Sequence, residues 1–379
     1  MTDSANSQLQ EYKQEFDRIC RESVLPILRD FEPVRKKYLR NMILICLAAV
    51  IVLYLIYSDF SSGRAPERSM ISQFWNIITA IEFFIGIAAA FTVVFAPIIT
   101  KNEFALSLKK ECMKKILKVF GNIKWFDGKK CVSDFYLKDS DLFSEFTNRN
   151  TYDSFKGDYK DVNFEVSEIH LFCETKGRRK IIWSVFKGLV IKFGMNKKFD
   201  GKTIIVSKND IMTKRNFSLL YILFGYILIT SICSYVNILQ FLLSLLLPTV
   251  IIFLIHIVYK YFSNRNSDIV LDEVKLEDAG FHKKYKAYSS NQVEARYLIT
   301  PAFMERFKNL QTAFGTNKIK CSFNEDCLIF AISTWKNLFE LGGLFINLEN
   351  PKQLKKFFDE LISIYMMIDY FKLDENTKL

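Results

Sequence analysis

The chain has 379 residues, half of them hydrophobic, and a formal net charge of +11 at pH 7. The apolar residues occur in long blocks, which excludes a chain that is soluble throughout, because about 20 apolar residues suffice to cross the hydrocarbon core of a bilayer. Its eight cysteines are scattered along the chain. We therefore expect reduced thiols in a cytoplasmic environment and no disulfide framework.

Four apolar blocks predict four membrane helices arranged as two hairpins. A buried core helix would explain one block of this length but not four with so few charges. The first hairpin, 41–100, follows an amphipathic helix over 1–40 that Pro26 and Pro33 are expected to kink or break. The second hairpin is 216–262. The four blocks are 42–57, 74–100, 217–235 and 238–262.

Lysine and arginine flank both ends of each hairpin, whereas the two tips carry little net charge. By the positive-inside rule, both hairpins start and finish in the cytoplasm, and so do both termini. Each basic residue beside anionic lipid contributes roughly 1 kcal/mol to membrane binding, which predicts the anionic inner leaflet as a partner. No nucleic acid is predicted as a partner. The juxtamembrane basic residues are Arg35, Lys36, Lys37, Arg40, Lys109, Lys110, Lys114, Lys115, Lys214 and Arg215.

The remaining segments predict a juxtamembrane helix, 101–120, and a cytoplasmic α+β domain. "VNFEVSEIHLF", "KIIWSVFKGLVIKF" and "KTIIVS" have strand patterns within 121–210. After the second hairpin, "DIVLDEVKLED" and a β-hairpin turning at 324–326 continue the strands within 265–379. A last helix has Asn350 as its cap and Pro351 at its first position. The fold class is thus an α+β membrane protein whose cytoplasmic domain is split by the second hairpin.

The stretch "VEARYLITPAFMERF" places two acids and two bases close together. "EARYLI" has strand composition, and Thr300 and Pro301 then predict the cap and first turn of a helix. Glu305 and Arg306 fall off the apolar face of that helix and are expected to be solvated. The charges of the stretch are therefore predicted to form a binding surface and not a catalytic site. The candidate surface consists of Glu294, Arg296, Glu305 and Arg306.

No complete cofactor or metal motif is present in the sequence. "DGKT" at 200–203 ends like a phosphate-binding loop but lacks the earlier glycine and the following helix, so a turn between strands is favoured. Cys321 and Cys327 could face one side of a hairpin, but two thiols alone make a weak zinc site, and small buried residues are the better interpretation. Glu82 is the one acid well inside a predicted span, roughly 12 Å from its outer end.

The segment "VKLEDAGFHKKYKAYSSNQVEARYLITPAFMERF", with "CSFNEDCLIFAI" and "LFE", resembles the C-terminal signature of a bacterial family of membrane proteins, the domain-of-unknown-function family numbered three-one-three-seven. "VFKGLVIKF" with "NKKFDGKTIIV" resembles its middle signature, and the N-terminal helix with the first hairpin resembles its usual opening. The second hairpin departs from many members, which have a shorter linker there. The resemblance implies a bacterial inner-membrane location and transfers no catalytic residue.

Three functions are open at this point. The leading hypothesis is a non-enzymatic inner-membrane protein whose cytoplasmic domain binds a protein or lipid partner at the membrane surface. The alternative is a small-solute transporter or channel component that uses Glu82. The third is a membrane-bound enzyme with a site at Glu294 and Arg296.

Overall fold

Three helices account for nearly all of the first 116 residues in the computed structural model of the chain. Helix α1, Asp3–Ile19, passes through a π-helical turn, Cys20–Val24, into α2, Leu25–Ser61. Helix α3 is Ile71–Ile116 and includes Pro97. The structure describes residues 3–61, 71–174, 182–195, 198–208, 271–316, 318–371 and 373.

The expected break at Pro33 is wrong, because Pro33 lies inside α2. A proline leaves one helical carbonyl without its partner, here that of Arg29. Both residues are exposed, so water can hydrogen-bond that carbonyl and the helix continues. The π-helical turn falls directly before α2, where Pro26 is the second residue. The segment 1–40 is therefore continuous with the first apolar block.

The chain divides into two compact units. The helical unit comprises Met1–Trp125 and Asn337–Tyr365, and the sheet unit comprises Phe126–Lys336 and Met366–Leu379. The predicted second hairpin, 216–262, lies outside the described residues, and so do Lys214 and Arg215.

Small residues bring α2 and α3 close together in the helical unit. Ala49 and Ala89 are both buried although most of their neighbours are exposed. A Cβ atom added to Gly86 would lie 3.6 Å from Cδ1 of Ile56. Small side chains at such positions let two helices approach and pack through van der Waals contacts, the usual means of association for apolar helices.

In the described part of the chain, nine strands form one antiparallel sheet, with the order β1-β2-β3-β4-β9-β8-β5-β7-β6. Their pattern of alternating and continuous apolar residues matches the predicted strands in "VNFEVSEIHLF", "KTIIVS" and the β-hairpin. The strands are β1 Ile123–Asp127, β2 Asn148–Tyr159, β3 Val162–Glu174, β4 Ile182–Gly194, β5 Lys202–Ser207, β6 Asp272–Val274, β7 Tyr285–Ser289, β8 Ile319–Asn324 and β9 Cys327–Ser333.

Each face of the sheet carries its own apolar core. On one face, Cys327 and Ile329 pack with Leu137 of helix α4, Asp134–Asp139. Cys321 pairs with Phe330, and Cys327 pairs with Asn324, three residues away from Cys321 on β8. Since alternate residues of a strand face opposite sides, the two thiols lie on opposite faces. The idea that they could face one side is wrong, and they are small buried residues, as favoured.

Aromatic side chains fill the other face. The rings of Phe303 and Phe323 lie 5.5 Å apart, and those of Phe330 and Phe371 lie 5.1 Å apart. The rings covering this face come from Phe281, from Phe303 and Phe307, and from Phe371 at the end of the last helix. Among the described residues, four helices follow 271 in the chain. These helices are α5 Ala279–Lys284, α6 Gln292–Leu298, α7 Pro301–Phe314 and α8 Pro351–Phe371.

"EARYLI" is helical and not a strand, which corrects the sequence prediction. The side chain of Asn291 accepts hydrogen bonds from the N–H groups of Val293 and Glu294 and so begins α6. This cap satisfies two of the N–H groups that have no partner at the start of a helix. The prediction of a strand considered side-chain composition alone and left out this stabilisation. The cap at Thr300, with Pro301 as the first residue of α7, is confirmed.

The last helix agrees with its prediction. Asn350 accepts a hydrogen bond from the N–H of Lys352 at 3.1 Å, and α8 starts at Pro351. Its predicted apolar stripe is buried throughout. The stripe consists of Leu354, Phe358, Leu361, Ile364, Tyr365 and Ile368.

Close backbone approach at Gly188 gives a test of the sheet register. A Cβ atom there would lie 2.1 Å from the carbonyl oxygen of Ile332 on β9, whereas one at Gly315 meets nothing within 4 Å. We expect Gly188→Ala to lower the unfolding free energy by at least ~3 kcal/mol, since main-chain atoms must move. Gly315→Ala, at a left-handed position, should cost only ~1 kcal/mol. Thermal unfolding in detergent compares the two, and equal losses would contradict the register.

Candidate functional site

The largest exposed apolar surface of the described residues runs along α2 and α3. Two stretches on these helices carry nearly all of it. On α2 the exposed side chains are Ile43, Leu44, Ile45, Leu47, Val50, Ile51, Tyr54, Leu55 and Tyr57. On α3 they are Ile81, Phe83, Phe84, Ile85, Ile87, Phe91, Val94, Phe95, Ile98 and Ile99. We call this surface the apolar band.

The band extends around the helices and is not a stripe. Ile43, Leu44 and Ile45 are consecutive and all exposed. Consecutive residues of a helix are about 100° apart, so three of them cover more than half of its circumference. A soluble helix that packs on one partner needs only a stripe, whereas a helix that is apolar all round belongs in an apolar medium. Within the described residues, Gln10–Ser58 and Ala80–Phe120 are long and apolar enough to cross a membrane.

Glu82 lies on α3 within the apolar band and is half-buried. Its neighbours Ile81, Phe83 and Phe84 are exposed. Glu82 is the only aspartate, glutamate, lysine, arginine or histidine in 41–58 and 71–100. A transport pathway for a polar solute needs several polar groups facing each other. In these two segments Glu82 is the one charged group that such a pathway could use.

Basic residues stand at the base of the band. Lys109 is half-buried, and Arg35 is held in an ion pair described below. The other predicted juxtamembrane residues of the first hairpin are exposed and available to a charged surface. They are Lys36, Lys37, Arg40, Lys110, Lys114 and Lys115.

We call these exposed basic residues the collar. At and below their level the same helices have a buried apolar face. Leu28 of α2 and Phe104, Leu108 and Met113 of α3 are fully buried. The ring of Phe16 on α1 lies 4.6 Å from that of Phe358 on α8. Along α2 and α3, the apolar side chains thus change within a few turns from exposure on all sides to burial on one face.

A loop of the helical unit, 338–350, is held against α2 by an ion pair. Arg35 donates two hydrogen bonds to the carboxylate of Glu32, at 2.9 and 2.5 Å, and a third to the carbonyl of Leu344 at 2.9 Å. The same carboxylate accepts the N–H of Leu348 at 3.4 Å. The hydrogen bonds from Arg35 are the main cause that lowers the pKa of Glu32.

A second carboxylate holds the start of this loop but has the opposite electrostatic character. Glu360 of α8 accepts the N–H of Phe339 at 2.6 Å. Burial is the main cause that raises the pKa of Glu360, although hydrogen bonds from Phe339 and Lys356 oppose it. The loop 338–350 therefore depends on two carboxylates with opposite shifts. Hydrogen bonds stabilise Glu32 as an anion, whereas burial favours the protonated form of Glu360.

The predicted binding surface on α6 and α7 is only partly assembled. Arg296 and Glu305 are exposed, while Glu294 and Arg306 are half-buried. Among the described residues no ion pair joins any two of these four. The structure therefore presents them as separate charges.

The structure adds two apolar neighbours to Arg296 that the sequence analysis missed. Val293 is 77% exposed and Tyr297 is 51% exposed. Val293, Arg296 and Tyr297 are spaced i, i+3 and i+4, so they lie on one face of α6. Tyrosine and arginine are the residues enriched at the centres of protein interfaces. Helical spacing is the signal that would have found this face, but only once "EARYLI" is assigned as a helix.

The sequence analysis also did not predict an aromatic patch at the end of β3 and the start of β4. Trp335 is exposed, with its ring 5.9 Å from that of His170 and 5.5 Å from Nζ of Lys187. Ile182 and Trp183 are exposed at the start of β4. Residues 182–187 precede the part of β4 that pairs with β9, so one edge there has no strand from β9 beside it. This register, unlike the apolar pattern, is not readable from the sequence.

Other polar groups of the sheet unit hold segments in place. Lys202 is buried, and its ammonium donates to the carbonyl of Asp139 and, at 2.7 Å, to the carboxylate of Asp141. Gly201 lies in a turn before β5, so "DGKT" leads into a strand and not a helix, as expected. Among the described residues no group of three metal-ligating side chains occurs.

The buried thiols are poor nucleophiles. Burial raises the pKa of Cys20 and of Cys112 to about 12, and that of Cys327 to about 11. Because the thiolate is the reactive form, these groups stay protonated near neutral pH.

The fold and these surfaces define the class: an α+β protein with two long apolar helices and a nine-stranded antiparallel sheet. A family model described as a protein of unknown function, DUF3137, matches residues 184–373, half of the chain. The chain belongs to that family, the one its C-terminal signature resembles. No curated protein matches the chain, and neither does any solved structure.

Glu360 gives a pH-dependent prediction. Its pKa in the folded protein lies above the ordinary value of 4.5. The stability that the neutral carboxyl group contributes is complete below pH 4.5 and is lost as the pH rises through the folded pKa. Glu360→Gln keeps an oxygen that can accept the Phe339 N–H and cannot ionise. The unfolding free energy of the variant relative to the parent should therefore rise with pH above 4.5.

The measurement is thermal unfolding of both proteins in detergent between pH 4 and pH 8. Glu349→Gln, a change at an exposed carboxylate of the same loop, is the control and should show no such trend. A stability difference between Glu360→Gln and the parent that stays constant over this range would contradict the assignment.

Proposed function

We propose that the chain is an integral protein of the bacterial inner membrane whose cytoplasmic α+β domain binds a partner, protein or lipid, at the membrane surface. The apolar band is the single observation that carries the proposal. In water its side chains would leave a large apolar area exposed all round two helices, at a cost of roughly 25 cal/mol for each Å². In a bilayer the same side chains are solvated, and the helical backbone satisfies its own hydrogen bonds.

The exposed lysines at the base of the band support the proposed orientation. Lys36 and Lys37 precede the band on α2, and Lys110 and Lys114 follow it on α3, all exposed. Both sets lie at the same end of the hairpin, and positive charge marks the cytoplasmic side. The proposed second hairpin, 216–262, rests on the sequence alone, and with it both termini are cytoplasmic.

The proposed partner surface of the sheet unit is the face of α6 formed by Val293, Arg296 and Tyr297. It combines an exposed aliphatic side chain, a guanidinium and a phenol ring on adjacent turns. Such a face can bury apolar area and form charged hydrogen bonds at once. The half-buried Glu294 and Arg306 and the exposed Glu305 then form part of its surroundings.

The proposal does not include catalysis. The paired charges of the sheet unit are committed to the fold, as in the Lys202 contacts with Asp139 and Asp141. The thiols with resolved pKa values are protonated at neutral pH. A binding protein needs neither an activated nucleophile nor a matched acid and base.

Membrane integration is tested on the full chain expressed in bacterial cells. We expect the protein to remain in the membrane fraction after washing with high salt and with alkaline carbonate, because its attachment is apolar and not only electrostatic. The double variant Leu47→Arg and Phe91→Arg should be released or degraded, since a central arginine costs about 2.5–3.5 kcal/mol. Lys37→Ala is the matched surface control and should behave as the parent.

Orientation is tested with topology reporters. A reporter fused after Leu379 and one inserted near Ser62 should report opposite sides of the membrane. Recovery of the parent protein in the soluble fraction would refute the membrane proposal, and reporters on the same side would refute the orientation.

Partner binding through α6 is tested by crosslinking of the full-length protein in living cells, followed by mass spectrometry. If Tyr297 is central to an interface, Tyr297→Ala should cost at least ~2 kcal/mol, equivalent to about a thirtyfold weaker complex. Tyr152→Ala changes another exposed tyrosine, on β2 of the same unit, and serves as the control. Crosslinked partners that are recovered equally with both variants would exclude the α6 face.

A further inference from the structure

A turn at the base of the apolar band exposes two large apolar side chains. The N–H of Ile346 donates to the carbonyl of Gly343 at 3.2 Å and closes the turn 343–346. Inside the turn Leu344 is fully buried, whereas Phe345 is 57% exposed and Ile346 is 37% exposed. Tight turns ordinarily carry glycine, proline, asparagine, aspartate or serine. Phenylalanine and isoleucine at an exposed turn therefore call for an apolar partner.

The turn is fixed to both long helices of the helical unit. Arg35 of α2 donates to the carbonyl of Leu344, and Glu32 accepts the N–H of Leu348. A Cβ atom at Gly342 would lie 2.7 Å from Cδ2 of Leu348 and 3.2 Å from Cδ2 of Leu108 on α3. The chain before the turn is thus packed against its surroundings, and the turn has a defined height along the helices.

That height lies just below the apolar band. Arg35 precedes Ile43, the first large exposed side chain of the band on α2, by about 12 Å of helix rise. Leu108 follows Ile99, the last such side chain on α3, by about 14 Å. The interfacial region of each leaflet is roughly 5–8 Å thick. The anchors of the turn thus lie about 4–9 Å beyond the headgroup region of a bilayer that surrounds the band. The side chains of Phe345 and Ile346 extend several ångströms from the backbone, so they can bridge this gap.

The charges around the turn fit an anionic lipid surface. Lys352 and Lys355 are exposed in the first turns of α8, directly after the loop, and Lys36 follows Arg35 on α2. Between residues 343 and 355, Glu349 is the exposed acid, and the two exposed lysines outnumber it. Apolar side chains flanked by lysines are the composition that binds the boundary between headgroups and acyl chains.

We propose that the turn 343–346 inserts Phe345 and Ile346 into the cytoplasmic interface of the bilayer that α2 and α3 cross. The inference rests on the proposed membrane function and adds a lipid-contacting site outside the spans. Its occupant is the phospholipid interface and not a second protein. The Glu32–Arg35 pair positions this turn, so that the start of α8 and the base of the hairpin contact the same leaflet.

The test places a photo-crosslinking analogue of phenylalanine at one position at a time in the full-length protein. The protein is reconstituted in vesicles of phosphatidylethanolamine and phosphatidylglycerol, and lipid adducts are measured by mass spectrometry. Phe91 in the apolar band reports on the membrane proposal, and Phe345 reports on the turn. We expect lipid adducts at both positions.

The outcomes separate the two proposals. Adducts at Phe91 without adducts at Phe345 would overturn the inference and leave the membrane function standing. An absence of lipid adducts at both positions would overturn both. Attachment of Phe345 to protein instead of lipid would also overturn the inference, since it would show that a protein covers the turn.

The role of the Glu32–Arg35 pair is tested separately. With the analogue at Phe345, Arg35→Ala should lower the yield of lipid adduct severalfold, because the turn loses its hydrogen bond at Leu344. The yield at Phe91 should not change. Arg29→Ala removes an exposed arginine from the same helix and is the matched control. An unchanged yield at Phe345 in Arg35→Ala would exclude the positioning role of the pair.

Discussion

The burial of side chains along α2 and α3 is the constraint on which the helical unit depends. One length of these helices exposes apolar side chains all round, and the adjacent length buries one face against α1 and α8. No single solvent stabilises both lengths, because water penalises the first and a hydrocarbon medium would penalise the charges of the second. The collar with Lys36, Arg40 and Lys110 lies where the requirement changes.

Lysines occupy two kinds of position in this chain: some are exposed at the base of the apolar band, and others lie against the sheet. Lys202 and Lys320 extend from one face of the sheet and donate to main-chain carbonyls of the segment around α4. Lys192 of the same face lies 3.8 Å from the ring centre of Tyr136. These lysines hold a covering segment on the sheet, so part of the net charge of +11 is internal to the fold. The lysines of the collar, by contrast, are exposed.

Part of the candidate site could be predicted from the sequence, and part could not. The basic collar and the apolar blocks were predictable because composition and length alone identify them. The α6 face was not, because a side-chain cap at Asn291 converts a strand-like sequence into a helix and thereby groups Val293, Arg296 and Tyr297. Arg35 was predicted as a lipid-facing charge, but Glu32 and the carbonyl of Leu344 occupy its guanidinium.

The sequence by itself determined the two apolar helices of the first hairpin, most strands, the β-hairpin, the capped last helix and the family. These features follow from local periodicity, capping residues and motif, all of which act over a few neighbouring positions. The tertiary structure alone decided the sheet order, the opposite orientation of Cys321 and Cys327, and the attachment of 338–350 to α2. The sheet order and the attachment of 338–350 depend on pairs of residues far apart in the chain, such as Arg35 and Leu344, whose contact no local pattern specifies. The orientation of the two thiols depends on the pairing register of the β8–β9 hairpin.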